Sequence, residues 1–203
     1  MARRLTRAFF DRDPRVLAPD LLNKLLISTR DDERLVARIV EVEAYRGAVD
    51  PASHAYRGRT ARNATMFGPP GRLYVYFTYG MHFCINVVAA APEGDAGAVL
   101  IRAAVPLQGL ELMRARRPAA RQDRMLLAGP ARLASAFGLV RDDDGRDLTR
   151  GPVTLADDGT PPPRSPGRST RIGLAAGKGD DTPWRWFVAG DPHVSGPRAR
   201  NAL

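Results

Sequence analysis

The chain has 203 residues, with 31 basic against 22 acidic side chains, a formal charge of +9, and 44% hydrophobic content. This is the make-up of a soluble globular protein of one domain, and no apolar run is long enough to span a bilayer. Cys84 is the only cysteine and His54, His82 and His193 are dispersed, which excludes an intrachain disulfide and cysteine-rich zinc sites and leaves no metal or cofactor motif.

The basic start, Met1 to Arg4, is not followed by an apolar core, so a cytoplasmic protein is expected. Asp13 and Pro14 read as N-cap and first residue of a helix running to Leu21 and Leu22, with Pro19 a possible kink. Asn23 can take the left-handed conformation that closes it, and Leu25 to Ser28 follows as a strand, with a turn at Asp31 and Asp32. Leu35 to Tyr45 is rich in β-branched residues, and period-two alternation puts Glu41, Glu43 and Tyr45 on one face and Val40, Val42 and Ala44 on the other. Gly47 to Arg72 reads as a long loop carrying Arg57, Arg59 and Arg62.

An aromatic strand, Leu73 to Tyr79, and a second strand, Phe83 to Ala89, form an expected hairpin tipped by Tyr79, Gly80, Met81 and His82. Ala98 to Ala104 is an apolar strand interrupted by Arg102, a mid-strand charge that needs a partner. Leu107 to Arg117 and Pro130 to Phe137 have helical spacing, and the amides after Gly129 could meet a phosphate. Thr160 to Gly167 is a proline-rich loop, and Thr170 to Leu174 and Trp184 to Val188 read as short strands.

The charge excess favours a polyanionic partner, although an arginine-rich composition with lysine only at Lys24 and Lys178 can also reflect genomic base content. Glu41 and Glu43 would by default be exposed or paired with arginine. A partly desolvated Glu43 beside Tyr45 could instead accept a proton from water. Tyrosines at 45, 74, 76 and 79 suit sheet packing, and suit equally the stacking of bases or the wedging of a duplex.

Longer motifs carry a resemblance. "EVEAY" (Glu41 to Tyr45), "HAYRGRTARN" (His54 to Asn63), "MFGPPGRLYVYFTYGMHFCINVV" (Met66 to Val88) and "AVLIRAAVPLQGLELMR" (Ala98 to Arg114) resemble the alkyladenine, or 3-methyladenine, DNA glycosylases. "GPARLASAFG", "RIGL" and "HVSG" add weaker support. The resemblance departs at Ala61, where the family often has proline, and at Asn23, where glycine is common.

It implies a mixed α/β (α+β) domain over residues 1–203, with a curved, largely antiparallel sheet, flanking helices and a protruding DNA-intercalating hairpin; the tails, about 1–5 and 197–203, are expected to be flexible. It implies that Glu43 is the general base, that Arg102 and the carbonyl of Ile172 hold the attacking water, and that Tyr45, His54 and Tyr76 stack the flipped purine. Asn86 is implied to disfavour the amine of normal guanine, Tyr79 to fill the gap in the duplex, Met81 and His82 to follow the minor groove, and Arg59 and Arg62 to contact phosphate. The partner implied is double-stranded DNA with alkylated or deaminated purines, and the chemistry requires only a monomer and no cofactor.

Neither lysine suits a Schiff base, so the expected product is an abasic site. A damaged-DNA binder without excision activity, and an RNA-binding protein, are the alternatives that charge and aromatics also allow.

Overall fold

In the computed structural model, which describes residues 2–30, 32–78 and 80–196, the β-branched runs pair into one antiparallel sheet. Its strands are β1 (Arg3–Arg4), β2 (Leu25–Arg30), β3 (Glu33–Arg46), β4 (Leu73–Thr78), β5 (His82–Ala89), β6 (Gly97–Gln108), β7 (Val153–Asp157), β8 (Gly167–Ser169) and β9 (Arg185–Phe187). Their order is β1-β7-β2-β3-β6-β5-β4, with β9 against Glu41 to Glu43 of β3 and β8 beyond it. The helices are α1 (Arg7–Phe10), α2 (Pro14–Leu21), α3 (Leu110–Arg116) and α4 (Pro130–Phe137). This is the mixed α/β architecture expected from the sequence.

One face of the sheet carries the main core. Val75, Ile85, Val87, Val99 and Ile101 pack there with Leu17 and Leu21 of α2 and Leu133 and Phe137 of α4. α2 begins as expected, with the Asp13 carboxylate accepting from the Arg15 amide at 2.9 Å and Pro14 at the first position, where no amide is needed. The opposite face holds a smaller cluster of Ala55, Met66, Tyr74, Val88, Ala96 and Ala98, with Tyr76 against it. The cleft opens on that second face.

β3 changes phase along its length. Leu35, Ala37 and Ile39 face the main core, and so do Val42 and Ala44. The switch falls at Val40, an extra residue between Ile39, opposite Ala104, and Glu41, opposite Ala103; on β6 the extra residue is Arg102, skipped between Ala103 and Ile101. A bulge inserts one residue and re-aims the side chains that follow. Uninterrupted alternation from Leu35 would have driven both carboxylates into the apolar core. The paired bulges place Glu41, Glu43 and Arg102 together on the cleft face.

Two sequence expectations are corrected. The helix expected from Leu107 starts later, because β6 continues to Gln108 and turns at Gly109 (φ +83°) before Leu110. No strand forms over Thr170 to Leu174; the paired segment is Gly167–Ser169. The Ile172 amide, which a ladder would have used, goes instead to the Glu43 carboxylate at 2.8 Å.

Asn23 follows α2 with φ +66°, its amide donating to the Ile39 carbonyl at 2.8 Å and its side-chain nitrogen to the Pro161 carbonyl at 2.8 Å. A β-branched residue there meets the left-handed steric cost, about 1–2 kcal/mol. Asn23→Val should therefore lower the urea midpoint clearly, whereas Asn23→Gly, which loses only the side-chain bond, should lower it less; thermal and urea unfolding of both variants check this.

Candidate active site

Glu41 and Glu43 have no exposed surface. Taking a carboxylate out of water costs several kcal/mol unless cations and donors replace the solvent. Glu43 is met by three donors: the Tyr45 hydroxyl at 2.8 Å and Arg102 Nη1 at 3.1 Å on Oε2, and the Ile172 amide at 2.8 Å on Oε1. Glu41 is met by four: Arg102 Nε at 2.9 Å, Arg185 Nε at 2.7 Å, the Ser195 amide at 2.6 Å and the Ser195 hydroxyl at 3.0 Å. Arg102 thus bridges the two carboxylates. Burial works against its charge, but Glu43 and Glu41 outweigh that and hold the guanidinium above its ordinary proton affinity.

Beside this cluster lies a cleft of about 380 Å³, within the roughly 300–1,000 Å³ of small-molecule sites. Tyr45, His54, Tyr74, Tyr76 and Asn86 line it, with Arg102, Leu100 and Ile172 toward the carboxylates. His54 stands at the rim, its Nδ1 3.0 Å from the Tyr74 hydroxyl and its ring edge-on to Tyr76 at 4.5 Å between centroids. Although the rim is open, the protein behind the imidazole, and then the charge of Arg62, lower its proton affinity below the usual 6.5.

Burial, followed by the charge of Glu43, pushes the Tyr45 phenol well above its usual range, and burial brings Tyr74 up to about 12. Tyr76 is raised by burial and by its contact with Cys84. These phenols are neutral donors and stacking surfaces at neutral pH. Asn86 is buried on β5, its amide nitrogen donating to the Tyr74 carbonyl at 3.3 Å.

The residues expected to meet DNA lie around the hairpin of β4 and β5. Met81 is 69% exposed and His82 is exposed at the tip; Tyr79, expected to be the wedge, lies outside the described residues. Arg59 is exposed, and Arg62 joins its loop to the hairpin by donating to the Phe77 carbonyl at 3.1 Å. Pro130, at the start of α4, borders the cleft.

Sequence reasoning missed a second buried ion pair. Arg171 donates to both oxygens of Asp50 at 2.7 and 2.8 Å and to the Ala44 carbonyl at 3.0 Å, and its guanidinium lies 4.7 Å from the Tyr45 ring centroid and 5.3 Å from that of Trp184. Burial acts against the charge and Asp50 outweighs it. The pair anchors the 170–174 segment behind Tyr45. Glu41, Arg185 and Ser195 were likewise unassigned, and the one signal that could have pointed to them was the unpartnered charge of Arg102 within its strand.

Fold and site together place a buried carboxylate, through Tyr45, Arg102 and Ile172, behind a cleft lined with aromatic rings on a strongly basic chain. A family model described as methylpurine-DNA glycosylase (MPG) matches residues 8–192. Curated relatives carry the name "Putative 3-methyladenine DNA glycosylase". That of Burkholderia lata is 56% identical over 97% of this chain and 93% of its own length, and that of Streptomyces avermitilis 52% over 96% and 92%. The one of Carboxydothermus hydrogenoformans is 45% identical over 94% and 98%. The chain belongs to the methylpurine-DNA glycosylase family, and its enzyme class is that of hydrolases acting on N-glycosyl bonds in DNA repair.

Removing one partner of a buried pair leaves an uncompensated charge and costs about 3–5 kcal/mol. Asp50→Ala should therefore lose stability on that scale by urea unfolding, because Arg171 would be left buried against aromatic rings. Asp50→Asn, which keeps the shape and an acceptor, should lose less.

Proposed function

We propose that the protein draws an alkylated or deaminated purine out of duplex DNA into the aromatic cleft and hydrolyses its N-glycosidic bond with water deprotonated by Glu43. The observation that carries this reading is the donor count at Glu43. An ionised carboxylate offers about four acceptor positions, and three are filled, which leaves one for the proton of a water.

The water oxygen attacks the sugar C1′ as its proton passes to Glu43, and the pair of the breaking C–N bond leaves with the purine. A ring-alkylated purine leaves without needing a proton, because it already carries a positive charge. As that bond breaks, cationic character grows on the sugar, and the adjacent carboxylate favours it. Arg102, the Tyr45 hydroxyl and the Ile172 amide keep the carboxylate oriented.

Tyr45, His54 and Tyr76 supply faces and edges for the extruded base, and electron-rich rings favour a cationic one. Asn86, fixed by the Tyr74 carbonyl, presents a rigid polar edge against purines carrying an additional amine. Met81, His82, Arg59 and Arg62 meet the duplex, and Tyr79 fills the vacated space. The reading is of a monomer that leaves an abasic site: Lys24 is held by Asp157 at 3.0 Å, and Lys178 borders a groove on the outer side of His54.

A general base contributes about 10²–10⁴-fold. Glu43→Gln should lose excision on that scale from duplexes carrying 7-methylguanine or hypoxanthine while still binding them; excision at the wild-type rate would sink the mechanism. Wild-type protein that binds these duplexes but makes no abasic sites would favour a damage-binding protein, and trapping of a covalent adduct by borohydride would contradict hydrolysis by water.

His54 supplies a pH test. With its proton affinity lowered, the ring is neutral at pH 7 and gains a charge only as pH falls through a value below 6.5. A charged imidazole repels a cationic purine, so the affinity ratio of 7-methylguanine duplex to undamaged duplex should fall on acidification, with a midpoint below 6.5 that His54→Gln removes.

A further inference from the structure

We propose that Glu41 is a positioning residue for the chemistry at Glu43: it holds Arg102 in the geometry that leaves the last acceptor position of Glu43 free for water. This inference rests on the hydrolytic reading above.

The two carboxylates are equally buried but differently filled. Glu41 accepts four hydrogen bonds, three of them on Oε1, which is thereby saturated by Arg102, Arg185 and the Ser195 hydroxyl, and one on Oε2 from the Ser195 amide. Glu43 accepts three. The guanidinium of Arg102 is divided between them, with Nε on Glu41 at 2.9 Å, Nη1 on Glu43 at 3.1 Å and Nη2 on the Ser195 hydroxyl at 3.4 Å. Arginine readily grips a single carboxylate with two parallel bonds. Glu41 and Ser195 prevent that by occupying the other two nitrogens. Without them, Arg102 is free to close on Glu43 and fill the position the water needs.

Charge balance supports the same role. Glu41, Glu43, Arg102 and Arg185 are buried together, two anions against two cations. Neutralising Glu41 leaves a net positive charge next to a sugar that becomes cationic as the bond breaks, which disfavours the chemical step specifically. Arg185 and Ser195 fix Glu41 in turn: Arg185 Nη2 donates to the Ser195 carbonyl at 3.1 Å and Nη1 to the Ser169 hydroxyl at 2.8 Å. The segment around Ser195, more than 150 residues away from Glu41 in sequence, is thereby tied to the catalytic centre.

The test is single-turnover excision from a 7-methylguanine duplex beside equilibrium binding to the same duplex. Glu41→Gln should slow excision about 100-fold while affinity stays within about threefold, because Glu41 is buried away from DNA. Glu41→Asp, which keeps the charge, should recover part of the rate. Excision by Glu41→Gln within twofold of wild type would overturn the proposal, and so would a parallel loss of binding and rate, which marks a merely structural residue. Should Glu41→Gln fail to fold, Ser195→Ala removes only a hydroxyl from Arg102 and Glu41; it should slow excision several-fold at unchanged affinity, and a wild-type rate there would overturn the proposal. Wild-type protein is the reference: if it makes no abasic sites the hydrolytic reading fails, whereas an active wild type with an equally fast Glu41→Gln fails Glu41 alone.

Discussion

Two carboxylates stripped of water cannot be carried by a small protein unless cations and donors are buried with them, and much of this molecule answers that requirement. Glu41 and Glu43 bring in Arg102 from the neighbouring strand, Arg185 from β9, the Ile172 amide from an unpaired segment and Ser195 from near the end of the described chain. These partners come from four stretches of sequence. Breaking a buried ion pair costs several kcal/mol, so the cluster ties those stretches to the central strand as firmly as apolar packing does.

The division of the sheet into two faces follows from the same constraint. Apolar residues crowd onto one side under α2 and α4, while the other side carries tyrosines, Asn86 and the charged cluster. A planar ring entering the cleft meets aromatic surfaces whose phenols are neutral and whose imidazole is neutral at pH 7. Arg102, the cation that borders its floor, is already shared by two carboxylates. The pocket thus differs in charge from the strongly basic chain around it.

Local chemistry made several elements legible. Asp13 and Pro14 announce α2, and the aromatic run ending at Gly80 announces the hairpin, because capping and turn formation depend on neighbouring residues alone. The placing of Glu43, Tyr45, His54, Tyr76, Asn86 and Arg102 came through family motifs, and the structure brings all six to one cleft or its floor. Arg171 and Asp50 went unread: an arginine in a segment of strand character and an aspartate in a loop give no local sign that they will meet 121 residues apart. The supposed strand at Thr170 to Leu174 failed for a related reason, since the acceptor that claims the Ile172 amide lies 129 residues away.

What the sequence by itself determined was the set of local devices: the capped helix, the hairpin, the alternation that puts Glu41, Glu43 and Tyr45 on one side, and the motifs that mark the family. It could not say which side that was. Leu35, Ala37 and Ile39 share their parity with the two glutamates, and only the bulge at Val40, matched by the one at Arg102, separates the apolar half of the strand from the charged half. A bulge is set by the pairing of two strands about 60 residues apart, where burying charge in the main core costs more than interrupting the ladder. Tertiary structure therefore decided that these carboxylates lie on the cleft side of the sheet, where Arg102 bridges them.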